Sequence, residues 1–374
     1  MWSFSRISTF DDCKWNYAAR YLWKMDLDKG NVYSEYGTFT HDALEKLLDG
    51  ETTKEQTLEN WQTYVAEWRN NPRAFQFDTS QIRDGYINNL TEYFDNITIP
   101  KHQGSFSNEK PVMTRIKGAN GGTEVFVGYI DTEYTDEDGN LVLVDYKTSS
   151  KSSFSKSKLP EKSRQLRLYA LGEHQTLDIP LDKIKCRFNM LKYCEVHFKQ
   201  ENGKWKTSVQ ERSKWVEKMK TKLTTKLRKD DDIQGFEMSE LLDKAIAANS
   251  LACMPKNIQD QFFIQDYLIE IDINEDDLNE LAKEVAEKCR DIRSFEAIPN
   301  LESYLEYTYP YDPDNYFDKK LCGYHTSDYF KEKEGLLEDI EPQADLDKVN
   351  DDMVDFGDIF SSQESDDVFN ELFG

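Results

Sequence analysis

The spacing of apolar and polar positions changes near residue 109, from helical periodicity to strand-like alternation. Before that point the pattern predicts a short opening helix capped by Ser or Thr, a second helix that begins near Gly37, and two more over 55–70 and 79–95. After it, the pattern predicts strands at 110–117, 123–132 and 141–144, a helix at 160–173 and a hairpin at 184–210. This order of helices, hairpin, helix and further strands predicts an α/β core.

The remaining chain changes composition twice, which predicts the domain organisation. Residues 213–229, 237–250 and 275–291 have helical patterns, and residues beyond 338 are acidic with scattered apolar positions. We therefore predict a core over 1–212 with a helical insertion at about 40–95, and a mainly helical accessory region over 213–337 that packs on it. An acidic, disordered tail over 338–374 follows.

Charge is distributed unevenly along the 374 residues, whose net charge is -24. Residues 338–374 hold 13 acidic residues and one basic residue, a net of -12, which is half of the total. Residues 147–167 instead hold seven basic residues and one acidic residue, and residues 204–229 hold ten basic residues and two acidic residues. These two basic stretches allow nucleic-acid binding despite the acidic total, because the local field decides it.

The chain has no apolar segment long enough for a membrane span, and its opening residues lack the apolar stretch of a signal peptide. Its six cysteines are scattered, without the spacing of a secreted disulfide framework. We expect a reduced, cytoplasmic protein.

Two carboxylates and a lysine are predicted to meet at one end of the sheet. Asp145 and Lys147 end an apolar strand and point to the same face, since strand side chains alternate. The preceding hairpin places Asp131 opposite Asp145 or Tyr146. Both carboxylates, with the Tyr146 carbonyl, offer the hard oxygen ligands that Mg²⁺ or Mn²⁺ prefers, and Lys147 could orient a water or offset phosphate charge. On its own, an Asp beside a Lys is more often a surface ion pair.

The surrounding motifs make that interpretation specific. In chain order they are Ser5-Arg6-Ile7-Ser8-Thr9-Phe10 with Cys13 and Tyr17, then Gly37-x-x-x-His41, Gly128-x-x-Asp131, Asp145-Tyr146-Lys147-Thr148, and Gln165-x-x-x-Tyr169. Over about residues 1–200 this series resembles the RecB-like branch of the PD-(D/E)XK nuclease superfamily, which includes lambda-type exonucleases and CRISPR-adaptation nucleases. The resemblance implies a restriction-endonuclease-like fold with a central mixed sheet flanked by helices.

The resemblance also implies roles for residues outside the two strands. His41 would be a metal ligand that favours Mn²⁺, and Gln165 and Tyr169 would orient Lys147 or contact the DNA backbone. Glu109 would match an additional acid found in some members. The alternatives are a core or surface histidine on a helix for His41, and ordinary helix packing for Gln165 and Tyr169.

Some relatives close the domain with a four-cysteine iron–sulfur cluster. Only Cys13 and Cys322 stand at positions that resemble its ligands, and the other positions hold Lys and Asp. Since such clusters normally need four thiolates, we expect no iron–sulfur cluster, and we expect Cys13 to be a buried small apolar residue.

The basic loop between Lys147 and the next helix is predicted to contact DNA phosphates without reading sequence. The candidate residues are Lys151, Lys156, Lys158, Lys162, Arg164 and Arg167. The acidic, aromatic-tipped tail resembles the tails of single-stranded-DNA-binding proteins and could engage such a protein, or a recombination or replication protein. It could also repel DNA from the wrong surface or occupy the basic groove in the free protein, and solubility alone is a further explanation of its charge.

These observations favour a metal-dependent DNA exonuclease or end-processing nuclease of recombination, repair or phage-type DNA metabolism. A structure-specific or restriction-like endonuclease would use the same residues. A non-catalytic module that binds DNA, or inhibits a DNA enzyme by mimicking DNA, is a third hypothesis, and the intact acidic pair beside a lysine argues against it.

Overall fold

A computed structural model describes residues 1–27, 30–229, 233 and 235–336. The α-helices are α1 Phe4–Asp12, α2 Lys14–Tyr17, α3 Val32–Leu48, α4 Lys54–Asn70, α5 Ser80–Asp95, α6 Leu159–Lys162, α7 Arg164–Leu177, α8 Trp215–Lys218, α9 Lys220–Leu227, α10 Gly235–Ala247, α11 Lys256–Gln259, α12 Glu275–Glu296, α13 Leu301–Thr308, α14 Tyr316–Lys320, α15 Gly323–Thr326 and α16 Asp328–Lys333. The strands are β1 Gln103–Lys117, β2 Thr123–Thr135, β3 Leu141–Lys147, β4 Ile184–Lys199, β5 Trp205–Glu211 and β6 Phe262–Ile271. Within these described ranges, no helix is both long and apolar enough to span a bilayer.

The predicted N-terminal helices are present, with one wrong boundary. Ser3 caps α1 by accepting a hydrogen bond from the Arg6 amide, as the sequence predicted. The second long helix, α3, begins at Val32 rather than near Gly37, because the Asn31 side chain caps it five residues earlier. Helices α4 and α5 match the predicted segments closely.

The sheet is mixed, with β1, β2 and β3 antiparallel and β3 parallel to β4. Phe188 of β4 pairs with both Asp145 of β3 and Ile269 of β6, and Cys194 of β4 pairs with Gln210 of β5 and with β6. Strands β3 and β5 therefore share one edge of β4, one after the other, and β6 covers the opposite edge. Helix α7 makes the crossover between the parallel strands β3 and β4, as expected for such a connection.

Strand β3 is buried on both faces, which explains its nearly continuous apolar run. Leu141 and Leu143 pack in a cluster with residues of α7, whereas Val142, Val144 and Tyr146 pack in a cluster with α3, α4 and α5. The core is thus a helix, sheet and helix sandwich, which confirms the predicted fold class. Helix α7 and the α3–α5 group form the two outer layers around the end of β3.

The region after residue 212 contributes to the sheet as well as to the surrounding helices. Strand β6 pairs along β4, and α12 packs with α1, α2 and the start of β2 in one apolar cluster. The α12 helix runs five residues beyond the predicted 275–291 segment. The predicted acidic tail over 338–374 lies outside the described residues.

Candidate functional site

Asp131, Asp145 and Lys147 meet where β2 and β3 separate. Thr132 pairs with Val144, so continuing the antiparallel register places Asp131 across from Asp145. There the Asp131 Oδ2 atom accepts a hydrogen bond from the Tyr146 amide at 2.9 Å, and Lys147 Nζ lies 2.8 Å from Asp145 Oδ1. The three side chains are between 14% and 19% exposed, so their charges are only weakly screened by solvent.

His41 reaches this cluster from α3, which lies in the helical layer on the other side of the sheet from α7. Its Nε2 atom lies 3.1 Å from the Tyr146 carbonyl oxygen and its Nδ1 atom lies 3.4 Å from Asp131 Oδ2. Because a carbonyl oxygen can only accept, a hydrogen bond between these two atoms requires a proton on Nε2. In the neutral ring, the Nδ1 lone pair then faces the Asp131 carboxylate, which is the arrangement of two ligands beside a shared cation.

Glu109 completes a donor group with these residues. Its neighbours Asn108 and Lys110 pair with Thr132 and Ile130, so Glu109 lies across from Asp131. Its φ of 43° is in the left-handed region that a non-glycine strand residue rarely adopts, and such strain is concentrated at functional sites. One ligand atom from each of His41, Glu109 and Asp131 lies within 4.8 Å of the others.

The electrostatics of Asp131 favour a bound cation. Burial raises the pKa of Asp131 to about 7, and the Asp145 carboxylate also raises it, while His41 and Lys147 lower it. A carboxyl that is this costly to ionise is stabilised in its charged form when a cation binds beside it. Carboxylate oxygens with one imidazole form a donor set that suits Mg²⁺ or Mn²⁺, so these residues fit such an ion.

Gln165 and Tyr169 lie on one face of α7, and Tyr169 packs against β2. The Gln165 side-chain amide donates to the Tyr169 hydroxyl at 2.7 Å. A Cβ atom placed on Gly128 would lie only 2.1 Å from that hydroxyl oxygen. The glycine that precedes Asp131 by three residues is therefore required for the tyrosine to approach β2, which joins two of the sequence motifs physically.

The predicted DNA-contacting residues fall into two groups. Lys151, Lys156 and Lys158 are exposed in the segment after β3. Arg164 instead lies 2.7 Å from Glu284, and Arg167 lies 3.7 Å from Asp277, both on α12. Lys162 belongs to neither group, because it is half-buried and lies near Asp12. Burial raises the pKa of Asp12, and the charge of Lys162 offsets part of that rise. The lysines nearest to β3 are thus presented to solvent, whereas the arginines contact the accessory helix.

One ionic cluster beside the site was missed in the sequence. Lys110 Nζ lies 2.7 Å from Glu133 and 2.8 Å from Glu173, and these two carboxylates are 9% and 2% exposed. It ties β1 and β2 to α7 and so helps to fix Tyr169 against Gly128. Charged residues this far apart in sequence give no local signal of their pairing.

The pair Cys13 and Cys322 is also close in space, with sulfur atoms 3.4 Å apart. Cys13 is half-buried rather than buried, and its sulfur accepts a hydrogen bond from the Asn16 amide at the start of α2. Cys13 packs against an apolar cluster, as expected for a small apolar residue, but the expectation that it is buried is wrong, and its sulfur also makes polar contacts.

Comparison with known proteins agrees with this geometry. Residues 1–303 match the model of a family described as the PD-(D/E)XK nuclease superfamily. A comparison with curated proteins found no match. The family match spans most of the 374 residues and includes every motif residue at the site. The chain belongs to the PD-(D/E)XK nuclease superfamily.

Proposed function

We propose that this nuclease is a metal-dependent deoxyribonuclease that processes DNA ends, and that it belongs to the RecB-like branch of its superfamily. The observation that carries the proposal is the convergence of His41, Asp131, Asp145 and Lys147 at one sheet end, with two carboxylates from adjacent strands and an imidazole from α3. An ion pair that serves only stability needs neither the imidazole nor the second carboxylate.

In this proposal, Asp131, Asp145, His41 and the Tyr146 carbonyl hold Mg²⁺ or Mn²⁺, with Glu109 as an additional acid. The ion, when bound, supplies charge neutralisation at the scissile phosphate and lowers the pKa of a water molecule. The structure supports this ligand set by placing the imidazole and carboxylate atoms beside each other.

Lys147 acts on the substrate side of the acidic pair. Asp145 holds its ammonium group at 2.8 Å, and the Phe188 ring lies 5.9 Å from the nitrogen, so the side chain is restrained within the site. A restrained ammonium can donate a hydrogen bond to a phosphate oxygen as negative charge develops there. Tyr169 and Gln165 act as positioning residues that hold α7 against β2 behind this group.

DNA is the proposed substrate because the exposed cations are on the segment that follows Lys147 in the chain. Lys151, Lys156 and Lys158, which lie 6 to 13 positions after Asp145 in the chain, would contact backbone phosphates. Binding through such contacts releases counterions, so we expect affinity to fall steeply with salt concentration. The proposed branch, and with it the preference for ends, rests on the motif series from Gly37 to Tyr169.

The test is digestion of linear and covalently closed circular DNA, double- and single-stranded, with Mg²⁺ or Mn²⁺. We expect metal-dependent loss of linear DNA only, and a reduction of roughly 100-fold or more in Asp145→Asn with DNA binding retained. Asp138→Asn is the matched control, since this substitution removes the same charge from the exposed turn of the same hairpin.

Other outcomes would correct the proposal in defined ways. Cutting of closed circles would replace the end-processing activity with an endonuclease activity at the same residues. Cutting that Asp145→Asn does not reduce would refute the site, and binding without cutting by the wild-type protein under every metal condition would refute the enzymatic proposal.

A further inference from the structure

A second cluster of metal-binding side chains lies away from the nuclease site, where the two ends of the described chain meet. Cys13 joins α1 to α2 and Cys322 precedes α15, so 309 positions separate them, yet their sulfur atoms are 3.4 Å apart. Cys322 has no exposed surface, and both cysteines are free thiols.

Two more donors accompany Cys322. Asp318 is in α14 and His325 is in α15, and His325 Nδ1 lies 3.2 Å from Asp318 Oδ1. One ligand atom from each of Asp318, Cys322 and His325 lies within 4.8 Å of the others. The spacing of three residues between Asp318 and Cys322, and of two between Cys322 and His325, lets two short helices present all three donors.

His325 is held in an apolar cage. It is 4% exposed, and its ring centroid lies 4.7 Å from that of Phe330, 5.1 Å from that of Tyr311 and 5.5 Å from that of Trp15. Its Nε2 atom has no hydrogen-bond partner among the described residues. The nitrogen that faces a polar group is Nδ1, which points toward Asp318 in the same cluster of donors.

We propose that Cys13, Asp318, Cys322 and His325 bind one structural Zn²⁺. In a tetrahedral zinc site the bonds are about 2.3 Å to sulfur and about 2.0–2.1 Å to nitrogen and oxygen. The tetrahedral angle then sets two sulfur ligands about 3.8 Å apart, and a nitrogen and an oxygen ligand about 3.3 Å apart. The two separations in this cluster, 3.4 Å and 3.2 Å, are within a few tenths of an ångström of those values. Coordination through Nδ1 would leave the ring proton on Nε2, where aromatic faces can accept a weak contact.

The donor types select zinc over the ion proposed for the nuclease site. Two thiolates and an imidazole suit a borderline-soft ion that accepts tetrahedral geometry, whereas Mg²⁺ prefers oxygen ligands in an octahedral arrangement. Two cysteines are too few for an iron–sulfur cluster with four thiolate ligands.

A metal ion here would join the N-terminal helices to the end of the accessory region. The contact already includes the Trp15 and Tyr324 rings, stacked with centroids 4.6 Å apart, and a hydrogen bond from the Tyr324 amide to the Asn16 side chain at 2.9 Å. Because the metal site would cross-link positions about 309 residues apart, its removal should loosen α1 and α2 as well as α14 and α15.

The test measures metal content in the full-length protein, purified with reductant from zinc-supplemented medium. We expect one zinc per chain in the wild type and in Asp145→Asn, which separates this ion from the nuclease site. The zinc should be lost in Cys322→Ser and Cys13→Ser, and retained in Cys253→Ser, since Cys253 is an exposed cysteine outside the cluster. Exchange of zinc for Co²⁺ should give the thiolate-to-cobalt charge-transfer absorption in wild type, a readout that does not depend on any variant folding.

Four results would overturn the proposal, and the first three concern the wild-type protein. They are wild-type protein without stoichiometric zinc and without the cobalt absorption, a disulfide between Cys13 and Cys322 in the protein purified with reductant, or the presence of iron with acid-labile sulfide. Retention of zinc by a folded Cys13→Ser variant that also carries Asp318→Asn would overturn it equally, because only two of the four donors would remain.

Discussion

Gly128→Ala is expected to disable the nuclease through Tyr169, although Gly128 itself has no reactive group. The added methyl carbon would lie 2.1 Å from the tyrosine hydroxyl oxygen and 2.5 Å from the carbon that bears it. Ordinary contacts need about 3.4 Å or more, so the ring must move by about 1 Å. Tyr169 is only 8% exposed, and overpacking of this kind costs about 1–3 kcal/mol of unfolding free energy.

The assay combines urea unfolding with cleavage of linear DNA. Displacement of Tyr169 would break the hydrogen bond from Gln165 and shift α7 away from Asp131, so cleavage should fall further than stability does. Gly85→Ala is the matched control, because a Cβ there meets no atom within 4 Å, and replacing a glycine inside a helix should increase stability by about 0.5–1 kcal/mol.

A double-mutant cycle isolates the contact. In the background of Tyr169→Ala, the Gly128→Ala change should cost much less stability, since the ring that it strikes is absent. If Gly128→Ala unfolds and cleaves like the wild type, or if its cost is the same in both backgrounds, the argument that this glycine is required by Tyr169 is refuted.

Three further predictions concern charge. Glu124→Gln should lower the unfolding free energy by about 1–3 kcal/mol in urea titrations, because Glu124 is 5% exposed and accepts two hydrogen bonds from Arg293 of α12; an unchanged midpoint would contradict this. Burial raises the pKa of Asp136, but hydrogen bonds from Lys185 and Asn140 outweigh that effect and hold the pKa well below its usual value. The stability that ionised Asp136 contributes is therefore present near neutral pH, and it is lost as pH falls below the pKa of about 3.9 that an aspartate has in the unfolded chain. The stability difference between wild type and Asp136→Asn should therefore shrink on acidification, and a difference that grows would refute the assignment. Truncation after Gly335 removes the acidic 338–374 segment, whose net charge is -12. If this segment competes with DNA for the basic residues, its removal should tighten DNA binding at low salt but not at high salt, where the charges are screened. Equal binding of the two proteins at low salt would exclude that competition.

The sequence predicted the nuclease strands because their signals are local. The apolar run in Leu141–Lys147 identifies a buried strand, and a hairpin register follows from the turn at Asp136–Asn140, in which Gly139 adopts a φ of 79°. The amino-acid pattern alone therefore places Asp131 opposite Asp145 or Tyr146, to within one residue. The α/β class followed from the same strands and the helix after them, whereas the mixed sheet of a restriction-endonuclease-like fold was implied by the family resemblance.

Other features depend on contacts that have no local signal. Pairing of β6 with β4 joins segments more than 60 residues apart, and alternation alone does not state which strands are neighbours. The start of α3 was misplaced because the capping side chain of Asn31 outweighed the apolar pattern that suggested Gly37. The Lys110 ion cluster was missed for the same reason as β6.

The position of α12 affects which of the predicted DNA-contacting residues are available to contact DNA. Its first turn holds Glu275, Asp276 and Asp277, and the helix continues to Glu284, which contacts Arg164, while Asp277 faces Arg167. Acidic side chains at a helix N-terminus are favourable in themselves, so the three first-turn acids stabilise α12. Of the acids named, Asp277 and Glu284 also pair with the arginines of α7. The α7 arginines at the end of the 147–167 stretch are thus paired with acids, whereas Lys151, Lys156 and Lys158 are exposed. On the proposed function, we expect DNA phosphates to contact these lysines rather than the paired arginines. On the proposed function, we expect the acids of α12 to influence where DNA lies by pairing with the α7 arginines and by repelling phosphates, without contacting DNA.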